Sequence, residues 1–341
     1  MLSADVEVDR REFTLRAALT VAPGERLALL GPSGAGKTTL LETIAGLVQP
    51  RRGRVTLGDR VLLRTERPQI AVPAWRRQVG LLRQDPGLFP HLSVRDNLAY
   101  SRNVDSSGAE LAQLANALGI DGLLAAMPAR LSGGQQHRVA LGRLLLAHCE
   151  ALLLDEPYSG LDAVLRRTLT ALVVAMITER DIPAVLVAHE LADAQAFANR
   201  MAVLDQGRVL QVGGPDEVVL RPASRRVAEL VGYLGFASLG GDRTAGIHPD
   251  RVIAGAEPGR GPVLRGLVVA SRPSGAGWEI DLQLPDTIVT GRLGDRPVTD
   301  AGEMVVTVID PPVFGPDGTA IQDGTAVPTD AANPAGGGTG A

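Results

Sequence analysis

Gly31-Pro32-Ser33-Gly34-Ala35-Gly36-Lys37-Thr38 is the stretch on which the fold turns. It follows a short apolar run, Arg26 to Leu30, and opens a segment, Thr38 to Leu47, with helical spacing, so the chain reads here as strand, loop and helix. Glycines at 31, 34 and 36 let successive backbone N–H groups curl around a polyphosphate, and the helix behind them adds partial positive charge. In such a loop Lys37 reaches the β- and γ-phosphates and Thr38 offers its hydroxyl to Mg²⁺. Lys37 is the only lysine among 34 Lys and Arg residues. A planar guanidinium substitutes poorly for a point charge threaded into the loop, which accounts for the one lysine retained.

Apolar runs at Ala151 to Leu154 and Ala184 to Ala188 each follow a helical stretch and end in charged or imidazole side chains. That alternation predicts a parallel sheet with crossover helices, a fold whose sites lie at the carboxyl ends of the strands. The first run delivers Asp155 and Glu156 to the sheet edge beside the glycine loop. Alone, such a pair is more often a solvated strand end. Beside Mg·ATP it can divide the work, with Asp155 on the metal and Glu156 on the attacking water. Leu131-Ser132-Gly133-Gly134-Gln135 precedes a helix running to about His148, and Ser132 as N-cap with bare glycines behind it makes an anion-binding helix start. Met201 to Leu204 and Arg208 to Val212 predict a hairpin, and the first domain is expected to end near Gly232.

Residues 233–243 are glycine-rich and aperiodic and read as a linker. Beyond it, short Val/Ile/Leu-rich runs (Gly246 to Ile253, Val263 to Ala270, Trp278 to Leu284, Thr287 to Leu293, Glu303 to Ile309) alternate with Pro, Gly and Asp turns, which predicts a small all-β domain over 244–322. The tail, 323–341, has almost nothing to bury and is expected to be disordered.

With 45% hydrophobic residues and a mean hydropathy of +0.10, the apolar stretches still stop well short of the ~20 residues a membrane helix needs. The first residues lack a secretory signal, so a cytoplasmic chain is expected. A net charge of −4 argues against a nucleic-acid partner. The lone cysteine, Cys149, excludes an intramolecular disulfide.

The Walker A loop (31–38), Gln84 after the run Val79 to Leu82, the Leu131 to Gln135 signature, the Walker B segment Leu152 to Glu156, Ser159-Gly-Leu-Asp162 and His189 occur in the order and spacing of an ATP-binding-cassette ATPase. The resemblance covers 1–232 and implies a P-loop α/β core with a mixed sheet and a helical subdomain. It implies that Gly31, Pro32, Ser33, Gly34, Ala35, Gly36, Lys37, Thr38, Thr39 and Gln84 bind ATP, that Thr38, Gln84 and Asp155 hold Mg²⁺, and that Glu156 and His189 are catalytic. It further implies that Leu131, Ser132, Gly133, Gly134 and Gln135 act on the site of a second copy, and that Asp162 couples the two. The family commonly stacks adenine on an aromatic upstream of Walker A, whereas Asp9-Arg10-Arg11-Glu12-Phe13 puts arginines there.

The remainder resembles bacterial importers in which a small oligonucleotide-binding-like regulatory domain follows the cassette, with His248 in place of the more usual arginine. Leu88 to Tyr100 resembles the equivalent stretch of oxyanion and iron importers, and molybdate importers are the most similar overall. The implied setting is the cytoplasmic face of the plasma membrane, with integral-membrane permease subunits, a second copy of the chain and an extracytoplasmic binding protein as partners, and with an oxyanion as ligand of the C-terminal domain. Importers of sulfate, ferric iron or sugar are the alternative. A cassette ATPase working on ribosomes or DNA would be expected to carry two cassettes or a long coiled-coil insertion, and a P-loop kinase has no use for Leu131 to Gln135.

Overall fold

The Thr14–Val21 strand alternates buried and exposed residues along its whole length and pairs antiparallel with Leu2–Asp9, so the chain begins as a hairpin with one face in the core. These strands, β2 and β1, belong to a computed structural model that describes residues 1–100, 108–257, 260–275, 277–295 and 302–321. The chain divides into two compact units between Pro215 and Asp216.

In the first unit β1 pairs on its other side with β4 (Arg52–Leu57), which continues through β5 (Arg60–Arg64) to β6 (Ile70–Ala71) as an antiparallel wing. The rest of the sheet is largely parallel: β3 (Arg26–Leu30), β7 (Val79–Leu82), β8 (Ala151–Asp155), β9 (Ala184–Val187) and β10 (Arg200–Asp205). A hairpin from β10 to β11 (Arg208–Gly213) joins the parallel part to β2. The order is β6-β5-β4-β1-β2-β11-β10-β3-β9-β8-β7. Strands β8 and β9 are buried along their whole length, as continuous apolar runs are when helices cover both sheet faces. The order sets β3, β9 and β8 side by side, so the loops after them meet at one edge.

Helix α1 (Lys37–Ala45) follows β3 and stops at Gly46, whose left-handed backbone directs its N–H to the Glu42 and Thr43 carbonyls. Arg77, 1% exposed, seals that end by donating to the carbonyls of Thr43 (3.1 Å), Ile44 (2.7 Å) and Val72 (2.8 Å). Between β7 and β8 lie α2 (Val94–Leu98), α3 (Gly108–Ala117) and α4 (Gly133–Leu146). Asn97, fully buried on α2, accepts from the Phe89 N–H and donates to the Phe89, Leu92 and Ser93 carbonyls, which fixes the loop before the helix. The crossovers on either side of β9 are α5 (Ala163–Arg180) and α6 (Leu191–Phe197).

The second unit holds two small sheets. One joins β12 (Gly235–Gly240), β13 (Arg243–Ile247) and β19 (Val313–Phe314). The other takes the order β14-β18-β15-β16-β17 from β14 (Val252–Ala254), β15 (Val263–Ser274), β16 (Gly277–Gln283), β17 (Ile288–Leu293) and β18 (Glu303–Val308). Leu264, Val268, Ile280, Leu282, Val306 and Val308 form its core. The P-loop core with its mixed sheet and this small all-β unit match the expected fold class, and the β unit suits an oligonucleotide-binding-like domain.

Two readings need correction. The stretch 233–243 is not simply a linker, because it contains β12, which alternates buried and exposed side chains against β13; its glycines mask a short amphipathic strand. The run Gly246 to Ile253 is broken where Pro249 opens a 3₁₀ turn, His248 Nδ1 accepting from the Asp250 N–H. The tail 323–341 lies outside the described residues.

Candidate functional site

The Walker A loop leaves β3 with no room for side chains at its first turn. Gly31 has φ +148°, and Gly34 and Gly36, at +81° and +105°, give the loop its left-handed curl. The Ala35 N–H closes the turn on the Pro32 carbonyl. Lys37 folds back across it, Nζ donating to the Gly31 and Pro32 carbonyls at 2.8 and 2.9 Å. Burial lowers the Lys37 pKa, while Glu156 and Asp155 oppose that shift. Asp155, 3% exposed, is raised above the usual carboxylate range by burial, against a hydrogen bond from Thr38.

Glu156 departs from the strand at φ 50°, its N–H on the Val187 carbonyl, and so turns its side chain out of the sheet into the cleft. That cleft has a volume of about 640 Å³. One wall is Ser33, Gly34, Gly36, Lys37, Thr38 and Thr39; Gln84, Glu156 and His189 also line it. The remaining wall is Arg10 to Phe13. Gly31, Pro32 and Ala35 shape the loop from beneath, and Asp155 stands behind Thr38.

Residues 131–135 and Asp162 do not line this cleft. Ser132 caps α4 in a reciprocal box: its Oγ accepts from the Gln135 N–H (3.3 Å), and its own N–H donates to Gln135 Oε1 (2.8 Å). Gly134 faces Gly160 and Leu161, so the signature adjoins the loop before α5 within the chain. Asp162 caps α5, its carboxylate accepting from the Val164 and Leu165 N–H groups, both at 3.0 Å. The signature and the P-loop are thus both formed, but in different places on one chain.

Two arginines to which sequence reading assigned no role tie the site together. Arg166, on α5, donates to Glu190 (2.7 Å) and Asp193 (3.3 Å) and to the Leu161 carbonyl (3.4 Å), linking the loop before α5 to the residue after His189. It lines a cavity of about 270 Å³ with Glu156 and His189, where burial pushes the Tyr158 phenol up to about 12. Arg10 donates from Nε to Thr39 Oγ1 at 2.9 Å, with a second, shorter contact from Nη2. Spacing could not reveal the Arg10–Thr39 or the Arg166–Glu190 contact, since each joins residues more than twenty positions apart.

The residues fit Mg·ATP. Gly34 leaves open space where a Cβ would stand, so backbone N–H groups can approach a phosphate. Burial drives Lys37 and Asp155 toward neutrality, and a polyphosphate on the first and a divalent cation on the second would reverse both shifts.

A glycine-curled loop between a buried parallel strand and a helix, facing two carboxylates at the end of β8 in the same sheet, defines a P-loop nucleotide-binding core. Comparison with known proteins narrows the class. Residues 15–159 match the family model for ABC transporters. The chain is 42% identical over 217 residues to the Fe(3+) ions import ATP-binding protein FbpC of Mesorhizobium japonicum, covering 63% of this chain and 59% of that one. It is 38% identical over 284 residues to the sulfate/thiosulfate import ATP-binding protein CysA of Mycobacterium bovis, covering 80% and 78%. Among solved structures, an ATP-binding subunit of an ABC transporter superposes with a TM-score of 0.57 at 26% identity, covering 70% of this chain and 96% of that one. A dimeric, post-hydrolysis ATP-binding cassette bound to ADP and Pi superposes at 0.54 and 26%, covering 63% and 99%. The chain belongs to the ABC transporter ATP-binding family. It spans about six-tenths of the length of the iron-import relative and nearly four-fifths of the sulfate-import relative.

Proposed function

We propose that the chain is the ATP-hydrolysing subunit of a bacterial importer, working as a dimer against a separate membrane permease at the cytoplasmic face of the plasma membrane. One observation carries the reading: Lys37, Gln84, Glu156 and His189, from four separate elements, line a single cleft with Asp155 behind it. Lys37 holds the β- and γ-phosphates, and Thr38, Gln84 and Asp155 provide the Mg²⁺ ligands. Bound Mg²⁺ supplies charge neutralisation at the phosphate oxygens. Glu156 orients the attacking water and accepts its proton, while His189 contacts the γ-phosphate. The chain has one P-loop and one signature, set apart, so the complete site takes Leu131 to Gln135 from a second copy, and Asp162 lies between the two. Among the described residues no helix is long and apolar enough to cross a membrane.

For cargo we favour an oxyanion, molybdate first, on the resemblance at Leu88 to Tyr100 and the single small β unit, which in this reading is regulatory and itself binds oxyanion. Sulfate and ferric iron form the second reading, favoured by the relatives' names.

The test is Glu156→Gln beside the wild-type chain. Removal of a general base costs ~10²–10⁴-fold in hydrolysis, while ATP affinity is retained and the variant collects as an ATP-bound dimer on size exclusion. Wild-type turnover by that variant would sink the catalytic assignment. Uptake assays with the permease, with molybdate, sulfate and ferric iron in competition, decide the cargo.

A further inference from the structure

The turn between β1 and β2 crosses the first turn of α1. Arg10 and Phe13 close it, the Arg10 N–H on the Phe13 carbonyl at 2.9 Å. A Cβ on Gly36 would lie 3.4 Å from the Phe13 ring, so the turn rests directly on the phosphate loop. From it the Arg10 guanidinium enters the cleft and spends two donors on one neutral oxygen, Thr39 Oγ1. Among the described residues no carboxylate pairs with it, although Asp9 and Glu12 flank it in sequence and Asp9 pairs with Arg51 instead. Arg11 lines the same cleft.

A guanidinium has five donors in a rigid fork matched to carboxylate or phosphate, and a single hydroxyl leaves most of that capacity unused. A cation without a counter-ion at the mouth of a phosphate cleft is therefore placed for an anion. Lys37 sits where Asp155 and Glu156 act on it, at the reacting end. Arg10 instead lies over Thr39, two residues along α1. A nucleotide held by its terminal phosphates at Lys37 leaves its nucleoside-proximal phosphate on the Thr39 side.

We propose that Arg10 is a nucleotide-binding residue that exchanges its Thr39 contact for a charge-assisted pair of hydrogen bonds to the phosphate nearest the ribose. The inference rests on the ATP-site reading above and adds to it a second cation, from outside the P-loop. Because the contact is to phosphate, it serves any nucleobase equally.

Equilibrium titration of the full chain with ADP and GDP tests it, using Arg10→Ala, Arg10→Lys and Lys37→Ala. Arg10 is exposed, and unchanged circular dichroism and unfolding temperature of Arg10→Ala confirm an intact fold. Loss of a charged hydrogen-bond partner predicts roughly 10- to 100-fold weaker binding of both nucleotides by Arg10→Ala, with Arg10→Lys in between. The deficit should shrink as salt is raised, because screening weakens the pair in the wild type. Arg10→Ala binding ADP within twofold of wild type while Lys37→Ala loses it overturns the role of Arg10 alone. Loss confined to ADP, with GDP untouched, also overturns it and assigns Arg10 to the base. Undiminished ADP binding by Lys37→Ala overturns the nucleotide-site reading beneath.

Discussion

Gly31 stands so close to β10 that a Cβ on it would lie 1.9 Å from the Leu204 carbonyl oxygen. The contact is to backbone, which cannot swing aside, and φ is +148°. Gly34 differs: its φ of +81° is also left-handed, but nothing lies within 4 Å of the Cβ position. Gly31→Ala must displace the start of the loop or the end of β10 and is expected to cost more than about 3 kcal/mol, with ADP binding lost. Gly34→Ala carries only the backbone cost of about 1–2 kcal/mol. Calorimetric unfolding of both variants checks the contrast, and equal destabilisation would show that sterics at Leu204 do not govern the loop.

Arg77 occupies the space that the absent side chain of Gly46 leaves, its Nε 2.4 Å from where a Cβ would be. It satisfies three carbonyls, two of them at the end of α1, where the helix dipole also favours a cation. Arg77→Leu strands the Ile44 and Val72 carbonyls in the core, Thr43 keeping the Gly46 N–H, and is expected to destabilise by about 2–6 kcal/mol, at 1–3 kcal/mol for each of the two unsatisfied groups. Arg77→Lys should recover part of this. Chemical denaturation measures both; a loss below 1 kcal/mol for Arg77→Leu would mean that water reaches these carbonyls.

His248 gives the second unit a pH dependence. Burial lowers its pKa below 6.5, Arg292 and Arg251 act in the same direction, and Asp250 opposes them. Its Nδ1 accepts the Asp250 N–H, and its ring meets Tyr233 edge-on at 5.2 Å, both suited to the neutral imidazole. The unfolded chain then binds more protons than the folded one below 6.5, so stability is full above that value and falls as pH drops through the folded pKa. Burial lowers His137 on α4 in the same sense. The unfolding midpoint should fall on acidification from neutral pH, and His248→Asn, which retains an acceptor for Asp250, should flatten the part due to the second unit. An unchanged slope in that variant would clear His248.

The strands beside the site were legible because β3, β8 and β9 are buried on both faces and so read as uninterrupted apolar runs ended by the functional residues. The glycine loop was legible because backbone curvature demands glycine at fixed positions. The hairpin of β1 and β2 was not, since its alternation mixes Arg, Glu and Asp with Ala and Val. Nor was β12, whose glycines read as a linker. Arg10, Arg77 and Arg166 act through contacts set by the tertiary fold, and among 34 Lys and Arg residues composition does not single them out.

Ser132 presents a confounded test, because it caps α4 as well as carrying the proposed trans contact. Ser132→Ala should cost about 1 kcal/mol through the lost cap alone. Ser132→Arg adds a bulky cation where a second copy's nucleotide is proposed to lie, and should abolish hydrolysis while sparing ATP binding. Mixing separates the causes. A homodimer of Ser132→Arg has two damaged signatures, and a homodimer of Lys37→Ala has two damaged P-loops. In a mixed dimer the Lys37→Ala chain lends its intact signature to the intact P-loop of the Ser132→Arg chain, which rebuilds one complete site. Hydrolysis after mixing should therefore rise well above that of either variant alone, whereas a site complete within one chain has no route to recovery. Steady-state ATPase assays of each variant and of the mixture decide the matter, and a mixture no more active than its components would remove the shared site.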